Sequence, residues 1–232
     1  KTYEAVLRLG VSTDTQDMTG VVLSEKTVTV TEEEVREAVG SFVGEQQQVP
    51  PMYSALKVNG KKLYELAREG KTIERKPRPV VFYEIRILDM ELPLVRISVT
   101  CSKGTYIRAL ARDLGRACES AAHISALRRT ASGVVSIGAC HAVEELSPES
   151  APGFALDPIA ALGATRVDLP GNLADDLLCG RRIPVERALA DFDASKAPFA
   201  LVLDGGLKAL ARTESGRFVM EHVFPQAIGG VR

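Results

Sequence analysis

The stretch Cys101-Ser102-Lys103-Gly104-Thr105-Tyr106-Ile107-Arg108-Ala109-Leu110-Ala111-Arg112-Asp113-Leu114-Gly115 joins a strand, a glycine turn and a helix, and its reading decides the fold. Before the turn, Val95, Ile97, Val99 and Cys101 alternate with Arg96, Ser98 and Thr100, the period of a half-buried strand; after it, Ile107, Leu110, Ala111 and Leu114 recur at helical spacing. Arg108 therefore falls on the first turn of a helix. Backbone N–H groups point outward there and favour an anion. A guanidinium is repelled at such a place unless a carboxylate or phosphate shares it, and two parallel hydrogen bonds can hold that group.

Outward from this stretch the pattern is that of an α+β chain. Tyr3, Ala5, Leu7 and Leu9 share one face of an opening strand, followed by a polar loop to Gly20 and a short strand at residues 21–23. Thr31 and Glu34 form a capping box, and Val35, Ala38, Val39, Phe42 and Val43 continue as a helix that Gly44 ends. A proline-containing insertion, residues 46–79, carries a short helical stretch at 63–68. Strands at 80–88 and 94–101, the Arg108 helix and a segment at 127–137 follow; residues 148–164 are Ala/Gly/Pro-rich and read as a linker. Beyond it, short strands at 201–203, 208–212 and 217–220, separated by Asp204-Gly205-Gly206 and Glu214-Ser215-Gly216, predict a small β-barrel. The expected fold is α+β, a mixed and largely antiparallel sheet with flanking helices plus that barrel.

Composition excludes several classes. The 232 residues are 45% apolar, enough for ordinary cores, and no apolar run approaches bilayer-spanning length. Cys101, Cys118, Cys140 and Cys179 are scattered without a C-x-x-C pair, so they read as small buried apolar residues of a cytosolic protein. His123, His141 and His222 lie too far apart for a local ligand motif, and no phosphate-binding glycine loop or serine-nucleophile motif occurs. Asp14 and Asp17 lack the spacing of a calcium loop and are read as turn formers. No metal and no cofactor is expected.

The formal net charge of −1 hides an uneven distribution. Lys57, Lys61, Lys62, Arg68, Lys71, Arg75, Lys76 and Arg78 crowd the insertion with Tyr53 and Tyr64 interleaved, and Lys103, Arg108, Arg112, Arg116, Arg128 and Arg129 make a second basic window. Glu32, Glu33, Glu34 and Glu37 are gathered elsewhere. One basic face on a neutral chain fits a nucleic-acid partner.

Five stretches also carry a family resemblance. They are Lys1-Thr2-Tyr3, the loop Leu9-Gly10-Val11-Ser12-Thr13-Asp14-Thr15-Gln16-Asp17-Met18-Thr19-Gly20, the run Val49-Pro50-Pro51-Met52-Tyr53-Ser54-Ala55-Leu56-Lys57, Cys101 to Arg108 as quoted, and Leu127-Arg128-Arg129-Thr130. In this order they resemble the bacterial tRNA pseudouridine synthases of the TruB type, densely as far as about Glu145. The resemblance implies a synthase catalytic domain over 1–147 with residues 46–79 as an RNA-binding thumb, a linker at 148–164, and a PUA-like RNA-binding domain at 165–232. It implies a cytoplasmic, monomeric enzyme that isomerises a T-loop uridine of tRNA, without membrane, metal or cofactor.

Residue by residue, Arg108 matches the arginine that pairs with the family's catalytic aspartate, and Tyr3 the tyrosine that stacks on the target uracil. Tyr106 and Leu127 match pocket-lining positions, with Lys103 beside them on the substrate side. Lys57, Lys61, Lys62, Arg75, Arg128 and Arg129 are the expected RNA contacts. Isomerisation must break the glycosidic bond, turn the uracil and join its C5 to C1′, so the base has to leave the stack and be held. Two departures stand out. The family's Gly-Gly-x-Leu-Asp-Pro loop, which bears the nucleophile, does not occur here; the chain starts at Lys1 and reads as an N-terminal truncation, inactive by itself. Leu156-Asp157-Pro158 imitates that motif without its glycines and reads as a turn. Ala117 to His123 also lacks the glycines with which the family ends the arginine helix. A non-catalytic RNA-binding or RNA-folding protein is the alternative function, and a β-rich interaction module a more distant one.

Overall fold

The structure, a computed structural model, describes residues 1–229; residues 230–232 of the expected C-terminal domain lie outside them. The chain forms two compact units, Lys1–Ser132 and Gly133–Arg232.

In the first unit the strands are β1 (Thr2–Leu9), β2 (Val11–Thr13), β3 (Val22–Glu25), β4 (Gly44–Gln48), β5 (Lys57–Val58), β6 (Lys61–Lys62), β7 (Arg78–Glu91), β8 (Leu94–Cys101) and β9 (Ala122–Ser132). The helices are α1 (Glu32–Ser41), α2 (Leu63–Arg68) and α3 (Ile107–Ala117). The main sheet runs β9-β1-β8-β7-β4, antiparallel throughout. The alternation of β1 and β8 is realised: Ala5, Leu7, Leu9, Val95, Ile97, Val99 and Cys101 are buried in one core with Ile107, Leu110, Ala111 and Leu114 of α3. Thr31 and Glu34 close the capping box, with the Glu34 carboxylate accepting from Thr31 N–H at 2.7 Å. Helix α1 stops at Ser41, and Gly44 (φ +104°) opens β4 instead of ending the helix.

Strand β4 is a correction to the expected pattern. Gly-Glu-Gln-Gln-Gln has no apolar alternation, yet it pairs with β7 from Gly44↔Phe82 to Gln48↔Arg78. The excursion therefore leaves the sheet after Gln48 and returns at Arg78, on paired neighbours. Strand β9 begins at Ala122, five residues earlier than the 127–137 segment implied. At the end of α3, Glu119 takes the left-handed conformation (φ +50°), and Ser120 N–H returns to the Gly115 carbonyl at 2.8 Å. The helix thus ends in a turn at the steric expense of a side chain in αL.

The second unit holds β10 (Val135–Ser136), α4 (Ala151–Phe154), α5 (Pro158–Leu162), β11 (Thr165–Asp168), α6 (Ala174–Leu178), β12 (Ile183–Pro184), β13 (Phe199–Leu203), β14 (Gly206–Glu214) and β15 (Arg217–Ile228). Its sheet runs β11-β13-β14-β15-β12, with β11 parallel to β13 and the other pairs antiparallel. Among the described residues no ladder joins β11 to β12. Phe192, Phe199 and Phe218 pack ring against ring over this sheet at 5.3–5.8 Å. The expected linker carries α4 and α5, and Asp157 is the N-cap of α5, its carboxylate accepting from Ile159 N–H at 2.9 Å. Cysteines 140 and 179 are exposed and Cys118 half-buried, so only Cys101 is the buried apolar residue expected of all four. No helix of the described residues is long and apolar enough to cross a membrane.

One close approach holds α3 to the strand that follows it. A Cβ built on Gly115 would lie 2.6 Å from the Ala122 nitrogen and 2.7 Å from the Ala121 carbonyl carbon. In an open helix Gly→Ala stabilises by about 1 kcal/mol. Here the contact is with backbone that cannot yield, so Gly115→Ala should instead cost about 1–3 kcal/mol in urea unfolding followed by circular dichroism. A gain in stability would show that the α3/β9 approach is looser than described.

Candidate active site around Arg108

The turn that presents Arg108 is held by a set of polar bonds. Gly104 adopts φ +86°, and the Ser102 hydroxyl accepts from Val81 N–H at 3.0 Å and meets the Thr105 hydroxyl at 3.2 Å. The buried Gln48 amide is paired with both backbone groups of Tyr106, accepting from its N–H at 2.9 Å and donating to its carbonyl at 3.1 Å. Tyr106 is thereby the N-cap and Arg108 the second residue of the helix. Edge strand β4 thus supplies a capping group that α3 lacks in its own sequence.

Arg108 reaches across to two other segments. Its Nη1 donates to the Thr15 carbonyl at 3.1 Å and to Asp17 Oδ2 at 3.3 Å, and its Nη2 to the Tyr53 carbonyl at 2.7 Å. These bonds engage three of the five guanidinium N–H groups. The anion demanded by the helix position is Asp17. That residue is more than the turn former expected: its Oδ1 accepts from the Thr15 hydroxyl, the Thr19 hydroxyl and Thr19 N–H, while Oδ2 meets Arg108. Burial pushes the Asp17 carboxyl up, but the bonds from Thr19 and Thr15 and the nearby Arg108 charge outweigh it and hold the group below its ordinary value. Asp14 does form the turn, accepting from Thr15 and Val21 N–H at 2.8 Å each, and also receives the Tyr53 hydroxyl at 3.2 Å. The proximity of Asp14 raises the Tyr53 phenol's pKa.

The sequence carries one signal for Asp17: an arginine on a first turn needs a nearby anion, and Asp14 to Gly20 is the acidic polar loop that follows the strand carrying Tyr3. Two further arginines hold the root of the excursion: Arg112 donates to the Val49 carbonyl at 3.1 Å and Arg75 to the Pro50 carbonyl at 3.2 Å. Arg112 is in turn gripped bidentately by Asp113, at 2.8 and 2.9 Å.

The other expected residues distribute as follows. Tyr3 lies half-buried on β1 against the core, and Leu127 faces Ala5 across the β1/β9 ladder, 47% exposed. Directly opposed residues share a sheet face, so Leu127 and Tyr3 lie on one side. No hydrogen bond joins Tyr3 to Arg108 among the described residues. Lys103 is exposed on the turn, and Arg128 and Arg129 are exposed on β9. Lys57 and Lys61 are exposed on the β5/β6 hairpin; Lys62 is half-buried, with Lys62 and Arg68 both over the Tyr64 ring at 5.4 and 5.3 Å. Arg75 is half-buried at the root of the excursion rather than on its surface. Among the described residues no group of three His, Cys, Asp or Glu is placed to hold a metal.

The Asp17 geometry makes a pH prediction. A carboxyl whose folded pKa lies below its unfolded value of 3.8 contributes stability that is present above that pH and is lost as pH falls through the lower folded value. The stability difference between wild type and Asp17→Asn should therefore be flat above about pH 5 and shrink below the ordinary aspartate pKa. A difference independent of pH down to complete acid unfolding would mean that Asp17 is not held ionised.

Residues 1–107 match the family model described as TruB family pseudouridylate synthase (N terminal domain). The chain is 46% identical over 201 residues to the tRNA pseudouridine synthase B of Ralstonia pickettii (strain 12J), covering 83% of this chain and 63% of that protein. It thus spans less than two thirds of that relative's length. With the protein of the same name from Burkholderia mallei (strain NCTC 10247) it shares 42% identity over 231 residues, 96% of this chain and 76% of the relative. Among solved structures, the crystal structure of a Cbf5-Nop10-Gar1 complex aligns with a TM-score of 0.66 at 21% identity, over 98% of this chain and 66% of that one. A structure of an H/ACA RNP bound to a substrate RNA containing 2′-deoxyuridine aligns with a TM-score of 0.62 at 19% identity, over 97% and 66%. The structural likeness carries the α+β fold alone, but the sequence identity extends through the Arg108 turn and most of a full relative, so the chain belongs to the TruB family of pseudouridylate synthases.

Proposed function

We propose that this protein isomerises a T-loop uridine of tRNA to pseudouridine. The observation that carries the reading is Arg108, fixed on the first turn of α3 by three acceptors, one of them the Asp17 carboxylate, with two N–H groups left over for a second anion. A nucleophilic aspartate from a Gly-Gly-x-Leu-Asp-Pro loop, as in the family, would take those donors. The name shared by the relatives supports tRNA as substrate. Tyr3 stacks on the extruded uracil, Tyr106 and Leu127 wall the pocket, and Lys103 meets the backbone. Stacking restores about 1–3 kcal/mol of the few lost in extruding the base.

RNA is held by Lys57, Lys61, Lys62, Arg128 and Arg129, with residues 46–79 acting as a thumb. Arg75 and Arg112 fix the thumb's root through the Pro50 and Val49 carbonyls. Residues 165–232 are proposed to be a PUA-like RNA-binding domain, which the β13-β14-β15 meander and its flanking strands support. The protein acts as a cytoplasmic monomer without a cofactor.

The reaction is tested by tritium release from 5-tritiated uridine in a T-arm hairpin, using the full natural protein. Arg108→Lys keeps the charge but loses the planar fork, so release should slow; Arg108→Met should slow the saturated single-turnover rate at least about a hundredfold with little change in RNA affinity. A normal rate in the methionine variant would remove Arg108 from the chemistry. For the thumb, Lys57, Lys61 and Lys62 replaced together by alanine should weaken binding across RNA sequences. The slope of log affinity against log salt should become shallower by about one for each phosphate that is no longer neutralised. An unchanged slope would place the RNA elsewhere.

A further inference from the structure

A helix usually starts on Ser, Thr, Asp or Asn, and a Glu or Gln at its third residue often reaches back to the N–H of that starting residue. Helix α3 has neither. It starts on Tyr106, whose side chain makes no capping bond among the described residues, and its third residue is Ala109. The returning bond comes instead from Gln48, 58 residues earlier in the chain, which takes the Tyr106 N–H at 2.9 Å and donates to the Tyr106 carbonyl at 3.1 Å. That carbonyl also accepts the first bond of the helical ladder, from Leu110 N–H at 3.1 Å. Gln48 therefore grips both backbone groups of the residue on which the ladder begins.

The grip is exclusive and stiff. An N–H can only donate and a carbonyl only accept, so the amide fits Tyr106 in one orientation. Gln48 is 4% exposed, and a buried backbone group deprived of its partner has no water to turn to. Of the other glutamines of β4, Gln46 donates to the Ser41 carbonyl and Gln47 is exposed. Gln48 is also the last residue of β4, paired with Arg78, so it stands where the excursion leaves the sheet and returns to it. The next two carbonyls, Val49 and Pro50, are held by Arg112 and Arg75. Arg108 lies two residues beyond Tyr106, and its guanidinium has to meet acceptors on two other segments at once. A shift of the first turn by about 1 Å is enough to misdirect such a group, at a cost of up to about a hundredfold in rate.

We propose that Gln48 is a positioning residue for the isomerisation. Acting through Tyr106, it holds the first turn of α3 so that the two N–H groups left over on Arg108 stay aimed at one point while the excursion carries RNA. This role rests on the isomerase reading above.

The test uses the full natural protein. Gln48→Met keeps the length of the side chain and removes both bonds. Its saturated single-turnover tritium release should slow about tenfold to a hundredfold, while affinity for the T-arm hairpin stays within about twofold. In hydrogen exchange, the Tyr106 amide should lose at least about tenfold in protection while Leu110 and Leu114 keep theirs. Added to Arg108→Met, the same change should slow release by less than about threefold more, because the residue through which it acts is gone. If the methionine variant melts below the assay temperature, Gln48→Glu replaces it: its carboxylate still accepts from Tyr106 N–H but has no proton for the Tyr106 carbonyl. Release should then fall at least about threefold, again only where Arg108 is present. A wild-type rate in the folded variant, or losses that multiply with that of Arg108→Met, overturns the positioning role alone. Absence of release by the wild type overturns the isomerase reading and the role of Gln48 with it.

Discussion

The structure of the first unit depends on one cation placed where a helix disfavours it. A positive charge on the first turn of α3 opposes the helix dipole by about 0.3–1 kcal/mol. The Thr15 and Tyr53 carbonyls and the Asp17 carboxylate more than offset this, since hydrogen bonds to charged groups are worth about 1.5–3 kcal/mol each. Because the acceptors come from the loop between β2 and β3 and from the excursion after β4, the same bonds fix three chain segments at one point. Asp17 is fixed reciprocally by Thr15 and Thr19, so neither partner of the ion pair is free to swing.

The excursion is rooted with the same chemistry. Arg112, Arg75 and Arg108 donate to the carbonyls of Val49, Pro50 and Tyr53, and Arg108 and Arg112 are one turn apart on α3. Carbonyls of an irregular segment beside a core need donors, and guanidinium groups supply several from a single side chain. The outer part of the excursion is held differently, by the short β5/β6 hairpin, α2 and the stacking of Lys62 and Arg68 over Tyr64. A firmly rooted segment with a lightly held tip can present cationic side chains to a partner while its base keeps register with Arg108.

The second unit has its own core, in which Phe192, Phe199 and Phe218 pack over β13, β14 and β15. Ile159, capped into α5 by Asp157, joins a smaller cluster with Ala200, Val202 and Leu207 on the other face of the sheet. Asp157, the only Leu-Asp-Pro aspartate of the chain, therefore has a structural task in starting a helix.

Sequence alone determined β1, β8, α1 and α3, because each buries one face against a core and apolar spacing records that directly. It also determined that Arg108 needs an anion, since a helix's N-terminal charge follows from local geometry. Strand β4 left no such trace: an edge strand of glutamines is held by its ladder with β7 and by the Gln48 bond to Tyr106, neither of which has a periodic signature. The identity of the anion was likewise decided only by tertiary structure. Asp17 and Arg108 are 91 residues apart, and their meeting requires the loop between β2 and β3 and the start of α3 to be folded against one another.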